Sequence, residues 1–493
     1  MGSRPSPVDL FRNGELRACI AVTQGADTAP LRILRARALI RLGNEEQALR
    51  ELESLADSNI AAAGLSAQCY ASIGNPYAAR EVAAWTESAH GDIAEQFEVG
   101  YSRFLIAWSI GAIHEIEPAL SRIECGNDPH LRARLLVARA WGFAEKYDYS
   151  RQAQLLLETA EILCNDRRAR DVSLLAAVAK SLAHLAREIS LPSFEAVAKI
   201  ANAVPWTDDL NEERFFCSRN LAWAFALRGS HDDALEQMWR AHDLAPSLRW
   251  RISSLADMSY LARMVGDDRS SNATLRHATI LATDCEWNSS GEDRTTLLYL
   301  AELNADRDTD AAVTMLALYD AIEMAMSKRF SLAHDPRLRA MENHAGGCVL
   351  AALGQPEDAA LLLSEAYRAF QSVFHYTRRA ASSALRMYEV TGKKSWLECA
   401  RGAVAQFPGS SIIANDIRRQ ANGHGDPRYA RLTLTQRRVF HLIYQGYVDE
   451  QIAEELSISI HTARNHVASV RRIFGAHSKN EIIAIARSYG SIA

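Results

Sequence analysis

Residues 432–490 read LTLTQRRVFHLIYQGYVDEQIAEELSISIHTARNHVASVRRIFGAHSKNEIIAIARSYG, and this stretch decides how the rest of the chain is understood. It divides into four short helices, each with its own start and stop. Thr433 with Gln436 has the spacing of a capping box, in which each side chain satisfies an orphan backbone N–H of the first turn. Gly446 then stops that helix. Asp449 is expected to cap a second helix with Ile452, Ala453 and Leu456 on one face. Ser459 is the predicted cap of a third, whose Ala463, Val467, Val470 and Phe474 recur at helical spacing. Gly475 stands where a helix end needs a left-handed backbone. Ser478 with Glu481 forms a further capping box, opening a fourth helix with Ile482, Ile485, Ala486 and Tyr489 inward.

Only Ser457 and Ile458 separate the second helix from the cap of the third, a joint short enough for a helix-turn-helix. Committing Ala463, Val467, Val470 and Phe474 to a core fixes the opposite face of the third helix by geometry. That face carries His461, Arg464, Asn465, Ala468, Arg471 and Arg472. Arginine can reach guanine O6 and N7 in the major groove, and asparagine can pair with adenine. Ala468 is small enough to let the backbone approach the bases. Arg471 and Arg472 sit two turns further on, where phosphates are the expected partners. With Thr462, these residues form the candidate DNA-binding set.

The stretch resembles the DNA-binding domain of LuxR-type transcription regulators. The family pattern is matched by Leu432, Thr433, Val439, Gly446, Ile452, Ala453, Leu456, Ser459, Thr462, His466, Gly475 and Glu481. Three positions depart from it: Gln436 stands for the usual Glu, Leu434 for a frequent Pro, and Ala463 for a branched aliphatic residue. Gln436 still serves as a cap, but an ion pair made by the Glu is lost. The resemblance implies binding as a dimer through the fourth helix, which makes Ile482, Ile485, Ala486 and Tyr489 candidate dimer contacts on two half-sites.

Composition places this domain on a body of different character. With 493 residues the chain exceeds a single core and calls for several domains or a repeat array. The net charge of −5 divides unevenly: from Arg431 onward eight Lys/Arg face five Asp/Glu, a net of +3, leaving −8 on the remainder. DNA contact is therefore expected in the tail alone. Eight cysteines, at 19, 69, 125, 164, 217, 285, 348 and 399, show no CxxC and no nearby Cys/His set. They read as small buried helix residues in a reducing compartment, with no disulfide, zinc site or other metal. The first residues, MGSRPSPVDL, have no apolar signal region, and no run long enough to span a membrane occurs, so a cytoplasmic location is expected.

From 9 to 420 the chain reads as amphipathic helices joined by short turns. LIRLGNEEQALRELESL (39–55), CYASIGNPYAAREVAAW (69–85), WGFAEKYDYSRQAQLLLETAEIL (141–163) and NLAWAFALRGSHDDALEQMWRAHDLAP (220–246) share one plan. A turn residue (Gly43, Gly74, Tyr147, Gly229) is followed by a small residue entering the next helix (Ala48, Ala79, Ala153, Ala234). Further copies surround Gly266 and Gly354. They resemble tetratricopeptide-type repeats, helix–turn–helix units of about 34 residues, and imply about nine or ten helix pairs in a solenoid. Residues 421–430 read as a linker to the tail at 431–493. Across so short a linker the effective concentration of tail beside body is on the order of millimolar. The body is therefore expected to govern the tail, since even weak docking of the third tail helix on an acidic face of the body would compete with DNA.

Enzymatic chemistry finds no footing. Gly392-Lys393-Lys394-Ser395 lacks the first glycine and the strand of a phosphate loop, and reads as a helix-to-helix turn. HEIEP at 114–118 lacks the second histidine of a zinc protease. No cofactor is implied. Trp206, Trp239 and Trp250, with Arg249 and Arg251, could hold an acidic peptide or an aromatic ligand, though gap-filling between helix layers is the favoured reading. The reading that results is an all-α bacterial transcription regulator: a tetratricopeptide-like solenoid that binds a protein, peptide or other effector, and a homodimeric LuxR-type domain on promoter DNA. RNA polymerase is one candidate partner. A scaffold or anti-activator whose tail binds protein is the alternative, and a small-molecule sensor a third.

Overall fold

Each repeat of the sequence places a small residue five or six positions after its turn residue, and the architecture follows from that spacing. The computed structural model describes residues 5–87, 91–109, 112–189, 191, 193–264, 267–287, 291–329, 336–408, 411–423, 432, 434–456 and 458–488. Among the described residues every regular element is helical. Helix pairs run as α1 (Pro7–Arg12) and α2 (Leu16–Thr23), α3 (Ala29–Arg41) and α4 (Glu45–Leu52), α5 (Ile60–Ser72) and α6 (Pro76–Ala84), α7 (Ile93–Ser109) and α8 (Ile113–Ser121), α9 (Pro129–Glu145) and α10 (Tyr149–Asn165), and α11 (Val172–Glu188) and α12 (Phe194–Ala203). They continue as α13 (Asn211–Ala226) and α14 (His231–Leu244), α15 (Leu248–Met264) and α16 (Asp268–Thr283), α17 (Gly291–Asn304) and α18 (Thr309–Arg329), α19 (Pro336–Ala352) and α20 (Pro356–Arg368), and α21 (Thr377–Thr391) and α22 (Lys394–Val404). Among the described residues the helices thus form eleven consecutive twos against the expected nine or ten pairs, the short α1 and α2 being one of them. A single helix, α23 (Ile412–Gly423), precedes the tail helices α24 (Leu434–Tyr444), α25 (Asp449–Glu455), α26 (Ile460–Phe474) and α27 (Lys479–Ser488). The expected linker at 421–430 overlaps the end of α23 and otherwise lies outside the described residues.

The turn chemistry is uniform. Gly43, Gly74, Gly229 and Gly354 all have positive φ, so each ends the first helix of its pair in the left-handed region open to glycine. Tyr147 occupies the same place between α9 and α10 with φ 57°, where an L-residue costs roughly 1–2 kcal/mol. Ala48, Ala79, Ala153, Ala234 and Ala359, early in the second helix of their pairs, are all buried. Gly266 lies outside the described residues. Gly392 ends α21 left-handed, so the Gly-Lys-Lys-Ser stretch is the helix-to-helix turn its sequence indicates.

The chain divides into two compact units, residues 1–186 with 191–221, and residues 187–190 with 222–493. In the first, α5 lies close on α7: a Cβ on Gly64 would stand 2.9 Å from the Glu98 backbone. Glu98 is itself buried and accepts from Arg134 at 2.7 and 3.0 Å, Arg37 at 2.8 Å and Gln68 at 3.0 Å. Burial disfavours its charge, but Arg134 and Arg37 outweigh that and hold the carboxyl well below the usual range. Asp171 is handled likewise, by Arg41 at 3.0 Å and His130 at 3.1 Å.

In the second unit α15, α17, α19 and α21 pack in succession, and α23 packs against α21, α22 and α15. Trp223 is fully buried, with the Arg378 guanidinium 4.7 Å from its ring centre. Arg378 also meets the buried Glu188 at 3.2 Å. Nearby in this array His344 meets Glu302 through Nε2 at 3.3 Å and Ser383 Oγ through Nδ1 at 2.9 Å. Of the eight cysteines, Cys19, Cys69, Cys217 and Cys348 are buried, Cys125, Cys285 and Cys399 half-buried, and Cys164 exposed. The expectation of burial therefore fails at Cys164, which lies on the outer face of α10 near its end.

Candidate nucleic-acid interface

The tail builds its core from residues of all four helices: Val439, Phe440 and Ile443 of α24, Ile452 and Ala453 of α25, Ala463, Val467, Val470 and Phe474 of α26, and Ile482 of α27. Phe440 and Phe474 stack with ring centres 4.8 Å apart, joining the first helix to the third. The inward stripe of α26 is the one its spacing predicts. Its ends are as expected too: Ser459 Oγ accepts from the Thr462 N–H at 3.1 Å, and Gly475 adopts φ 67°.

The start of α25 differs from expectation. Asp449 is its first helical residue, and Val448 is the cap, its N–H donating to Gln451 Oε1 at 3.0 Å. The Asp449 carboxylate is engaged elsewhere, 2.6 Å from Lys479 Nζ and 3.7 Å from Arg464 Nε. Lys479 also donates to the Tyr447 carbonyl at 3.3 Å, so α27 is pinned to the loop before α25. At the start of α27, Glu481 N–H donates to Ser478 Oγ at 3.2 Å, while the Glu481 carboxylate reaches one residue further back, to His477 N–H at 2.8 Å. Thr433, and with it the expected first capping box, lies outside the described residues.

Of the candidate DNA-binding residues, His461, Arg464, Asn465, Ala468 and Arg472 are exposed together on one side of α26. Arg464 is 58% exposed and rests against Glu450 at 3.3 Å as well as Asp449. Thr462 is half-buried, its hydroxyl 2.8 Å from Ser459 Oγ, and so belongs to the cap. Arg471, expected at a phosphate, is half-buried, and its guanidinium donates to the His477 carbonyl and braces the turn into α27. Asp449, Glu450 and Lys479 carry no sequence signal of a site role; only proximity in the fold reveals that they hold Arg464 and α27.

The candidate dimer contacts divide. Ile482 is fully buried in the domain's own core and is not available to a second copy, because its helical spacing aims it at α24. Ile485 is half-buried against that core. The side chain of Ala486 and all of Tyr489 lie outside the described residues, whereas Ala484 of α27 is exposed. The expected docking of the third tail helix on the body is also corrected. The described contacts with the helical array come from Arg438 of α24, Gln445 just after it and Glu455 of α25, whereas the outward face of α26 stays exposed.

Elsewhere, Trp239 of α14 is 55% exposed and stands edge-on to His242. Trp206 is half-buried and donates to the Ala201 carbonyl at 3.2 Å, and Arg249 pairs with Asp293 at 3.2 Å. In the first unit a cleft of about 600 Å³ is lined by Ile123, Leu135, Leu136 and Leu155 together with Arg132, Arg139, Arg151, Glu124 and Glu158, Arg132 being paired with Glu158 at 2.7 Å. Among the described residues no group of side chains is placed to hold a metal ion, and no helix is long and apolar enough to cross a membrane.

Residues 430–486 match the family described as bacterial regulatory proteins, luxR family, so the tail is a LuxR-family domain. No curated protein matches the chain. Among solved structures, a Rap protein complexed with competence and sporulation factor is similar at 12% identity and a TM-score of 0.40, covering 77% of this chain and 99% of that one. Yeast Tom70 is similar at 11% identity and TM-score 0.30, covering 86% and 96%. The Cut9–Hcn1 hetero-tetramer of APC/C follows at 10% identity and TM-score 0.28, covering 97% and 95%.

Proposed function

We propose that this chain is a sequence-specific, DNA-binding transcription regulator whose helical repeats bind an effector. The observation that carries the reading is the division of α26 into two faces. Its apolar face is consumed by the domain core, while Arg464, Asn465, Ala468 and Arg472 are exposed together on the other. Arg464 and Asn465 supply the two side-chain types that read guanine and adenine edges, and Arg472 supplies a phosphate contact. The effector of the repeats is a protein or peptide, and the cleft of the first unit, lined by apolar side chains together with both arginines and glutamates, suits one of mixed polar and apolar side chains. Two copies on neighbouring half-sites are expected on DNA, with the exposed part of α27 between them.

Binding of the purified chain to duplex DNA across a salt series tests the reading. Affinity should fall steeply with salt and should be higher for sites recovered by genome-wide mapping of bound DNA than for scrambled duplexes. A chain that shows no salt-dependent binding to any duplex is instead a scaffold whose tail binds protein.

A further inference from the structure

The tail and the helical array of the second unit meet through polar contacts far apart in sequence. Arg438 lies on α24, and Gln445 is the first residue after that helix. The Arg438 guanidinium donates to the backbone carbonyl of Asp306, in the turn between α17 and α18. The carboxylate of Asp306 is held by Arg386 of α21 at 2.5 Å, so one residue joins two helices of the array and the tail. Gln445 Nε2 lies 3.4 Å from Asp268 Oδ2 at the start of α16. One turn along α16, Asn272 donates to Glu455, the last residue of α25.

The electrostatics make Asp306 the keystone. Arg263, Arg386 and Arg438 all act on its carboxylate and hold it below its ordinary range, although burial opposes this. The same crowding is felt by Arg307, which burial, Arg263 and Arg438 together bring down to about 9. Without Asp306 these guanidiniums would face one another in a half-buried site. Meanwhile His461, Arg464, Asn465, Ala468 and Arg472 stay exposed with the array in place.

We infer that the edge of the array formed by α16 and the α17–α18 turn is a docking surface for the chain's own tail domain, and that it holds the tail in an orientation competent for DNA. This rests on the DNA-reading role proposed above. The array then presents α26 outward on a fixed mount, and α24 and α25 are spent on the mount.

The test uses the full chain with Asn272→Cys and Glu455→Cys together, oxidised and mapped by mass spectrometry to distinguish the new disulfide from the native cysteines. The DNA probe is a mixed-sequence duplex of about 30 base pairs at low salt, whose phosphates α26 would meet without a cognate site. The disulfide should form in most molecules, and the oxidised form should bind the duplex within about twofold of the reduced form. Failure of the disulfide to form in a folded variant overturns the docking, and a tenfold or larger loss of binding on oxidation overturns its competence. If the disulfide forms but neither form binds DNA, the docking stands and the DNA-reading role falls, taking the claim of competence with it. Because a cysteine pair can disturb folding, Arg438→Glu in the full chain gives a second measure. It should speed hydrogen exchange in α16 several-fold while leaving α26 exchange and duplex affinity unchanged; unchanged exchange in α16 overturns the docking.

Discussion

Arg464 is the single side chain on which the DNA-reading role turns. It rests between Glu450 and Asp449 while more than half exposed, so the proposed base contact would exchange two carboxylates for a base edge. Arg464→Ala is expected to cost about 1–3 kcal/mol of specific affinity and little of the non-specific part. Titration of cognate and scrambled duplexes with equal losses for both would contradict a base contact. Arg472→Ala should weaken both duplexes alike and flatten the salt slope, since phosphates carry no sequence. Arg471→Ala belongs in a different category despite its adjacency. Loss of its bond to the His477 carbonyl should lower the melting temperature of the tail more than it lowers DNA affinity.

Single elements carry two further expectations. The four tail helices bury Phe440, Val467, Val470, Phe474 and Ile482 among themselves, so the fragment 426–493 should fold alone with the circular dichroism of a helical protein. At under seventy residues its stability will be small. A disordered fragment in native buffer would mean that the contacts of Arg438 and Glu455 with the array complete the fold. The second expectation concerns α17 and α19. Burial opposes charge on His344, but Cys348 and Glu302 outweigh it and carry the imidazole up to about 10 from an ordinary 6.5. Burial likewise opposes charge on Glu302, yet His344 and Arg386 bring it down to about 2 from 4.5. A raised histidine stabilises the fold fully below 6.5 and loses that contribution as pH climbs through 10. The lowered glutamate contributes above 4.5 and fails as pH falls toward 2. Melting temperature should therefore decline between pH 6.5 and 10, and His344→Gln should flatten that decline while lowering stability at pH 6. A variant with the native alkaline profile would show that His344 is neutral in the fold.

These elements also mark how far local sequence reaches. Left-handed glycines, small residues at the pair interface and the stripe of α26 are legible because their cause lies within a few residues: a backbone dihedral, a helical period, a cap. Asp449 is misread as a cap because its true partner, Lys479, is thirty positions on. The brace made by Arg471 is hidden for a similar reason, its acceptor being a carbonyl six residues away in a turn whose path the stripe does not define. Ile482 shows a subtler limit. Its inward position is legible, but an inward residue cannot also serve a second copy, and only the closed core makes that conflict visible.

For the molecule as a whole, charge and connectivity set the remaining expectations. The body carries a net −8 and the tail +3, so the phosphate-neutralising groups should all be in the tail. Each neutralised phosphate contributes about −0.9 to the slope of log affinity against log salt. The full chain and the 426–493 fragment, both held as dimers, should give slopes that agree within about one unit. A full-chain slope steeper by two units or more would place additional phosphate contacts on the helical repeats.

Connectivity has a consequence in time. Within the repeats most packing joins helices that are neighbours in the chain, which favours rapid, stepwise folding as the polypeptide leaves the ribosome. Arg438 finds its acceptor at Asp306, 132 residues upstream. At roughly 5–20 residues per second, that stretch takes the ribosome several seconds or more to make. The turn that receives Arg438 has thus been synthesised and packed well before α24 emerges. The nascent tail meets a surface already finished, and the two halves of the contact are assembled in an order that the gene itself dictates.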